Sequence, residues 1–391
     1  MTLFLMFFTT FFIQLIVATE MNIIAPLAPF LSQYFNIKDS SVIMFNVGFS
    51  LVGVLVPILG VFADKYGKKK SLMVALIFYI VGTLISGFAT IPLLFALGRI
   101  FIGIGYFSLS GTNLSYLSEF VPYESRGKAS GLLRTAFGIA ILFSPLYATK
   151  MINKFGVLKS VYLPLTIIGV ICLLLLFRLP ETKSSKNVKV DINELLILLK
   201  NPLNSKSLIV IFLVLAAPSL LLSFLGIYIS NNFNFNQVEI GYVYTVVALG
   251  TILGIVFAAL FTDKIGKEKL SRIFFSIMLF ALIPIAFLNS AGIIIGFLTI
   301  VTIGLDGGFT AYQTLCSEII PEKRGTFMSL FYTVNAITVT IYSLLGPFLY
   351  DIGGYKLLVL IAIINTSIAL KILYSMSIEK TIIQRNNPSR L

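Results

Sequence analysis

The chain has 391 residues, of which 58% are hydrophobic and 12% charged, with a mean hydropathy of +0.98 and a formal net charge of +13. So much apolar side chain cannot be gathered around one water-soluble core, which excludes a soluble domain and makes an all-α polytopic membrane protein the expectation. The positive charge falls in short stretches between apolar runs, none long enough to build a basic face on a soluble fold, so nucleic acid is excluded as a partner.

The apolar runs are continuous rather than alternating, which means helices, because a helix satisfies its own backbone in lipid. Twelve are expected, over residues 3–31, 42–62, 71–89, 93–118, 127–149, 159–179, 207–230, 238–261, 270–289, 292–317, 326–349 and 356–377. The first carries no charge between Met1 and Phe12 and continues past Ala18. It therefore reads as a spanning helix and not as a cleaved leader, which wants a basic start and a short core.

After the sixth run, the stretch Pro180-Glu181-Thr182-Lys183-Ser184-Ser185-Lys186 is too polar for lipid. Beyond it, Asp191 to Lys200 reads as a short amphipathic helix at the membrane surface, with Ile192, Leu195, Leu196 and Leu199 on one face. The expected organisation is an N-terminal six-helix bundle over residues 1–179, a linker over 180–206, a C-terminal six-helix bundle over 207–377 and a short basic tail over 378–391.

Loops on the side of both termini carry most of the basic residues, among them Lys65, Lys68, Lys69, Lys70, Arg126, Lys264, Lys267 and Arg324. The opposite loops carry Lys38, Lys150, Lys154, Lys159 and Lys356, and this asymmetry places both termini in the cytoplasm of a cell whose plasma membrane the chain spans. The chain has no histidine, and Cys172 and Cys316 stand in different halves, so no metal site or disulfide is legible and the two thiols read as packing residues. With no tryptophan, the 17 tyrosines are left to supply an interfacial aromatic belt.

Two charged punctuation marks recur at an offset of 199 residues. Asp64-Lys65-Tyr66-Gly67-Lys68 returns as Asp263-Lys264-Ile265-Gly266-Lys267, and Glu119-Phe120-Val121-Pro122 with Arg126-Gly127 returns as Glu318-Ile319-Ile320-Pro321 with Arg324-Gly325. Two marks at one offset mean an internal duplication, hence 12 transmembrane helices in two pseudo-symmetric six-helix bundles.

The stretch from Gly60 to Lys70, between the second and third runs, closely resembles the signature loop of the major facilitator superfamily (MFS), and Ala259 to Lys269 sits where that family places its second copy. Arg99 followed by Gly103 and Gly105 is similar to the family's second motif. The resemblance covers essentially the whole chain and implies the MFS fold and transport by alternating access. It also implies a charge network at the cytoplasmic mouth that stabilises the outward-facing state, built here from Asp64, Gly67, Lys68, Glu119 and Arg126. A second network is expected from Asp263, Gly266, Glu318 and Arg324. Asp64, in a turn that Gly67 makes possible, can accept charge-assisted bonds there; the flanking lysines could instead serve topology alone.

Ionisable residues inside spans mark transport pathways, because burying a charge at mid-membrane costs about 3 kcal/mol or more. Glu20, Arg99 and Asp306 lie in the first, fourth and tenth runs, which line the central cavity in the resembled family; Arg134, shallow in the fifth, is free to snorkel. Glu20 and Arg99 fall at similar depth and could pair, whereas Asp306 lies further toward the cytoplasm. Without histidine, a carboxylate must carry any coupled proton, and Glu20 is the first candidate, Asp306 the second. Glu20 could otherwise pair with Gln14 or Asn22, and Asp306 could serve helix packing beside Gly304, Gly307 and Gly308. Asn22, Asn113, Tyr312, Gln313, Tyr332 and Asn335 are further polar candidates for a cavity, though polar groups in such bundles tie helices together at least as often. Gly103, Gly105, Gly111, Gly304, Gly307 and Gly308 read as sites of close helix approach.

The Glu-x-x-Pro endings of the fourth and tenth runs and the acid in the first resemble the sugar and metabolite symporter branches. The fifth run, with Ser144-Pro145-Leu146-Tyr147, departs from the glycine-rich motif of the drug and proton antiporters, although Gly346-Pro347 occurs in the eleventh. Arg99 would suit an organic anion. The expectation is a proton-coupled symporter for a small organic anion, sugar or other metabolite, monomeric and without cofactor. A drug/proton antiporter and, more remotely, a membrane sensor are the alternatives. Nothing in the chain forms a nucleophile with a base, a metal cluster or a nucleotide-binding loop, so an enzyme is not expected.

Overall fold

The computed structural model describes residues 2–121, 126–182 and 192–379. They are nearly all helical. The first span is two helices, α1 (Thr2–Met21) and α2 (Ile24–Phe35), broken at Asn22 and Ile23. Asn22 Nδ2 donates to the Ala18 carbonyl at 2.7 Å across the break, which leaves Glu20 in the last turn of α1. The second span, Asp39–Tyr66, alternates 3-10 and α geometry through Asp39–Met44, α3 (Phe45–Leu51), Val52–Leu55 and α4 (Val56–Tyr66). Then follow α5 (Lys68–Gly87), α6 (Pro92–Phe120), α7 (Arg126–Phe155) and α8 (Lys159–Phe177).

The expected amphipathic helix is α9 (Ile192–Lys200), with Leu196, Ile197 and Leu199 exposed; Asp191 lies outside the described residues. Next come α10 (Pro202–Val214) and α11 (Ser223–Phe233), joined by a π-helical turn at Pro218–Leu222 where proline cannot donate to the helical ladder. The remainder comprises α12 (Gln237–Ile265), α13 (Lys267–Ile285), α14 (Ala291–Cys316) and α15 (Arg324–Ser375). In α15, Gly354 (φ 61°, ψ −161°) breaks the helical path between the runs expected at 326–349 and 356–377.

Among the described residues, 10 helices are long and apolar enough to cross a membrane, not the twelve expected. The difference has two physical sources. The last two runs are two helices that abut at the non-helical Gly354 and so count as one length, and α13 opens on Lys267, Glu268, Lys269 and Arg272, too much charge for a purely apolar window.

By contact the chain forms two compact units, residues 1–190 with 224–245 and residues 191–223 with 246–391. In the first, α5 packs most extensively on α6, and α7 lies against α1. The segment 224–245 belongs to this unit: Gln237 Nε2 donates to the Pro26 carbonyl at 2.7 Å, Asn231 Nδ2 to Asp39 at 2.8 Å, and Thr245 Oγ1 to the Leu142 carbonyl at 3.0 Å. In the second unit, α13 on α14 is the largest packing pair, and α10 lies against α15.

Glycine sets both main crossings. A Cβ on Gly105 of α6 would come within 2.7 Å of Tyr79 Cβ and 2.9 Å of the Ala75 carbonyl on α5. A Cβ on Gly304 of α14 would come within 2.6 Å of Met278 N and of the Phe274 carbonyl on α13. Gly105 and Gly304, Tyr79 and Met278, Ala75 and Phe274 are each 199 positions apart, so the duplication preserves the register of a helix crossing. Gly103, Gly307 and Gly308 also meet neighbours closely, but Gly111 meets nothing within 4 Å, so the packing role expected for it is not borne out.

Gly304→Leu is expected to destabilise the folded protein by about 1–3 kcal/mol through overpacking, whereas Gly111→Ala, in open space, is expected to be near neutral. Thermal unfolding of the purified variants in detergent checks both.

Candidate functional site

The first unit holds a buried ion pair. Arg99, in the second turn of α6, donates through Nη1 to Glu20 Oε1, and both residues are at most 1% exposed. Arg99 Nη2 donates to Asn46 Oδ1 of α3 at 3.0 Å, and the guanidinium lies 4.5 Å from the centroid of the Phe49 ring. The break after α1 ends the helix beside Glu20, and Pro92 at the start of α6 places Arg99 two turns in, so the pair joins α1, α3 and α6. Glu20 Oε2 and Arg99 Nε have no hydrogen-bond partner among the described residues. Neither Asn46 nor Phe49 was among the sequence candidates; their signal, an amide and an aromatic in the second span, is too common to stand out.

The second unit holds Asp306 on α14, partly buried, with Oδ2 accepting from Thr251 Oγ1 of α12 at 2.7 Å. The two helices touch because Gly250 and Gly254 remove side chains from the crossing. A Cβ on Gly250 would come within 2.3 Å of the Thr299 carbonyl, and one on Gly254 within 2.5 Å of the Ile303 carbonyl. Thr251 also escaped the sequence reading, although it sits inside a Gly-x-x-x-Gly spacing that signals close helix packing in lipid.

The remaining polar candidates separate into two groups. Asn113 Nδ2 donates to the Thr10 carbonyl at 2.8 Å and Tyr312 to the Ser207 carbonyl at 3.0 Å, both buried. Asn113 and Tyr312 are 199 positions apart and each ties its helix to the first helix of its own half, while Asn22 serves the break after α1. Gln313 Nε2 donates to Tyr332 at 2.5 Å, with Tyr332 exposed and Asn335 partly buried one turn further along α15. Arg134 stands exposed on α7.

The two charged turns repeat each other closely. Gly67 (φ 94°, ψ 140°) and Gly266 (φ 98°, ψ 138°) adopt a backbone that side chains with a Cβ rarely reach, and each separates two helices in a sharp turn. Lys68 pairs with Glu119, and Lys267 with Glu318 at 2.5 Å. The start of α5 is closed by Thr182 Oγ1, which accepts from Lys68 N at 2.7 Å, and the start of α13 by Glu379 Oε1, which accepts from Lys267 N at 3.3 Å. Lys69 Nζ reaches the Leu179 carbonyl at 2.7 Å and Glu181 at 3.3 Å, and Arg272 Nη2 reaches Glu268 and the carbonyls of Leu373 and Met376 at 3.0 and 2.7 Å. Asp64 and Asp263 are exposed and make no ion pair among the described residues; Arg324 Nε donates to the Ser317 carbonyl at 2.9 Å. The Arg126 side chain lies outside the described residues. Among the described residues, the ion pairs of the two turns are made by the lysine after each glycine.

The family profile of the Major Facilitator Superfamily matches residues 10–337 and, again, residues 207–387. The chain belongs to that superfamily, and 10 of its described helices are long and apolar enough to cross a membrane. It is 29% identical over 218 residues to the sialic acid transporter NanX of Escherichia coli, a match covering 54% of this chain and 52% of that protein. It thus spans about half the length of that relative. It is 26% identical over 366 residues to the uncharacterized MFS-type transporter MJ1560 of Methanocaldococcus jannaschii, covering 90% of this chain and 92% of the other. The fold matches the crystal structure of a D-xylose-proton symporter with a TM-score of 0.74 at 16% identity, over 95% of this chain and 98% of that one.

Glu20→Gln and Arg99→Gln are each expected to lower stability by about 3–5 kcal/mol, because either leaves a charge buried without its partner, and the double variant less than their sum. Unfolding of the three variants in one detergent, read as a double-mutant cycle, checks this. Lys68→Ala and Lys267→Ala, at partly exposed pairs, are expected to cost only about 0–1 kcal/mol in the same measurement.

Proposed function

We propose that this chain is a secondary active transporter that moves a small organic solute across the plasma membrane by alternating access, coupled to protons in symport. The observation that carries this reading is the placement of a carboxylate inside a membrane span in each half, Glu20 in α1 and Asp306 in α14. Such groups are costly in lipid, and those kept there pair with a fixed charge or line an ion pathway. The similarity to a sialic acid transporter and to a proton symporter for a sugar supports a polar metabolite as substrate.

In this reading the chain crosses the membrane twelve times as two six-helix bundles, residues 1–179 and 207–377, with the linker and both termini cytoplasmic and the monomer as functional unit. Counting α13 as a span, and α15 as two spans broken at Gly354, accounts for the twelve. The turns at Gly67 and Gly266 then lie at the cytoplasmic mouth, where the Lys68–Glu119 and Lys267–Glu318 pairs bias the conformation rather than hold the fold. Solute binding draws on polar groups left partly accessible, Gln313, Tyr332 and Asn335 among them. Arg99, enclosed by Glu20, Asn46 and Phe49, is less suited to an anion than its position in the sequence implies. Efflux of drugs by antiport uses the same machinery run with opposite coupling.

Proteoliposomes offered labelled D-glucose, benzoate or tetraphenylphosphonium, with and without an imposed pH gradient, test the proposal. Accumulation of glucose or benzoate down an inward proton gradient is expected. Gradient-driven extrusion of tetraphenylphosphonium would mark an antiporter, and movement of no solute under any gradient would overturn coupled transport.

A further inference from the structure

We infer that Asp306, and not Glu20, is the group that takes up and releases the coupling cation, and that the Glu20–Arg99 pair is a permanent strut. The inference rests on the reading of the chain as a coupled transporter and assigns the ion site within it.

A coupling group has to meet solvent and must be able to exist in two charge states. Glu20 meets neither condition. It is 0% exposed, its Oε1 is held by Arg99, and the same guanidinium is committed to Asn46 and stacked on Phe49. A proton arriving at Glu20 would leave the Arg99 charge buried with no counter-charge, in a site whose low dielectric makes that arrangement costly. The pair therefore neutralises itself in charge, even though Glu20 Oε2 and Arg99 Nε keep no hydrogen-bond partner among the described residues.

Asp306 differs on each point. It lies ten residues from the Cys316 end of α14 and fifteen from the Ala291 end, about 15 and 22 Å along the helix, hence near the middle of the span. It is partly exposed, and among the described residues it makes no ion pair. The charges on the elements packed around it are distant or already committed. On α12, Glu239 and Asp263 each stand twelve residues from Thr251, about 18 Å along the helix, and Lys264 one residue further. On α13, Lys267 pairs with Glu318, Arg272 with Glu268 and the carbonyls at the end of α15, and Lys269 is exposed. On α10, Lys206 lies in the second turn; on α15, Arg324, Asp351, Lys356 and Lys371 stand away from the segment beside Phe309. A carboxylate at mid-span with no fixed counter-charge among the described residues takes its cation from solution.

Thr251 makes the site workable in both charge states. Its hydroxyl donates to the carboxylate Oδ2 now and can accept from a protonated Asp306 by rotating. The Gly250 and Gly254 contacts hold α12 against α14, so the hydroxyl stays in reach through both states. The chemistry shared by the possible occupants is that of a monovalent cation at a single carboxylate, a proton or a sodium ion.

The test uses the full chain in proteoliposomes loaded with pyranine, with labelled D-glucose and benzoate as solutes and either a pH or a sodium gradient. Counterflow and thermal unfolding are measured alongside. Asp306→Asn is expected to reduce gradient-driven accumulation at least about tenfold more than it reduces counterflow, and to abolish the solute-dependent pyranine signal while remaining folded. Asp306→Glu is expected to recover part of both, and Thr251→Val to weaken coupling in the same direction. Glu20→Gln is expected to lose folded protein, with accumulation and counterflow falling in proportion. Loss under the pH gradient identifies a proton site and loss under the sodium gradient alone a sodium site. Undiminished accumulation by folded Asp306→Asn, or selective loss of accumulation over counterflow in Glu20→Gln, overturns the assignment while coupled transport stands. A wild type that ignores both gradients removes the coupled reading itself.

Discussion

Hydrocarbon offers no partner to a backbone amide, and that constraint governs the rest of this molecule. Each span must satisfy its own backbone, so the chain is built of long helices, and every departure from helix has to be compensated nearby. The breaks follow this rule. Asn22 supplies an amide to the Ala18 carbonyl beside the break after α1, and the π turn at Pro218 continues the chain past a residue that cannot donate. The starts of α5 and α13 are closed by Thr182 and Glu379, and the end of α8 by Lys69. Polar side chains that looked like cavity linings turn out to serve the same need: Asn113 and Tyr312 each bind a carbonyl of a neighbouring helix.

Because lipid is as apolar as leucine, helices here cannot be driven together by hydrophobicity and must gain from close fit instead. Glycine provides the fit at Gly105 and Gly304 in the same register of the two halves, and again at Gly250 and Gly254. The duplicated crossings are the conserved frame. The two acids inside the spans are not duplicated: the position 199 residues after Glu20 is Ser219, and the position 199 before Asp306 is Phe107. A symmetric frame here carries asymmetric chemistry.

The two buried acids illustrate how environment separates residues of one type. Glu20 is closed to water and paired with a guanidinium that is itself held by Asn46 and lies over Phe49; Asp306 has one threonine hydroxyl and partial access. The first arrangement pairs its charge inside the protein. The second leaves a carboxylate with no ion pair among the described residues.

Much of this was legible in the chain itself. Hydropathy and length dictated helices in a membrane, the 199-residue offset dictated two related halves, and the lysine and glutamate of each charged motif did meet, at Lys68–Glu119 and Lys267–Glu318. Rise per residue put Glu20 and Arg99 at one depth, and they are paired. What only the tertiary structure decided is which way each side chain turns. Depth along a helix follows from counting residues, but its azimuth depends on tilt and on how neighbouring helices cross. That is why Asn46, Phe49 and Thr251 were not singled out, and why Asn113 and Tyr312 proved to be ties between helices.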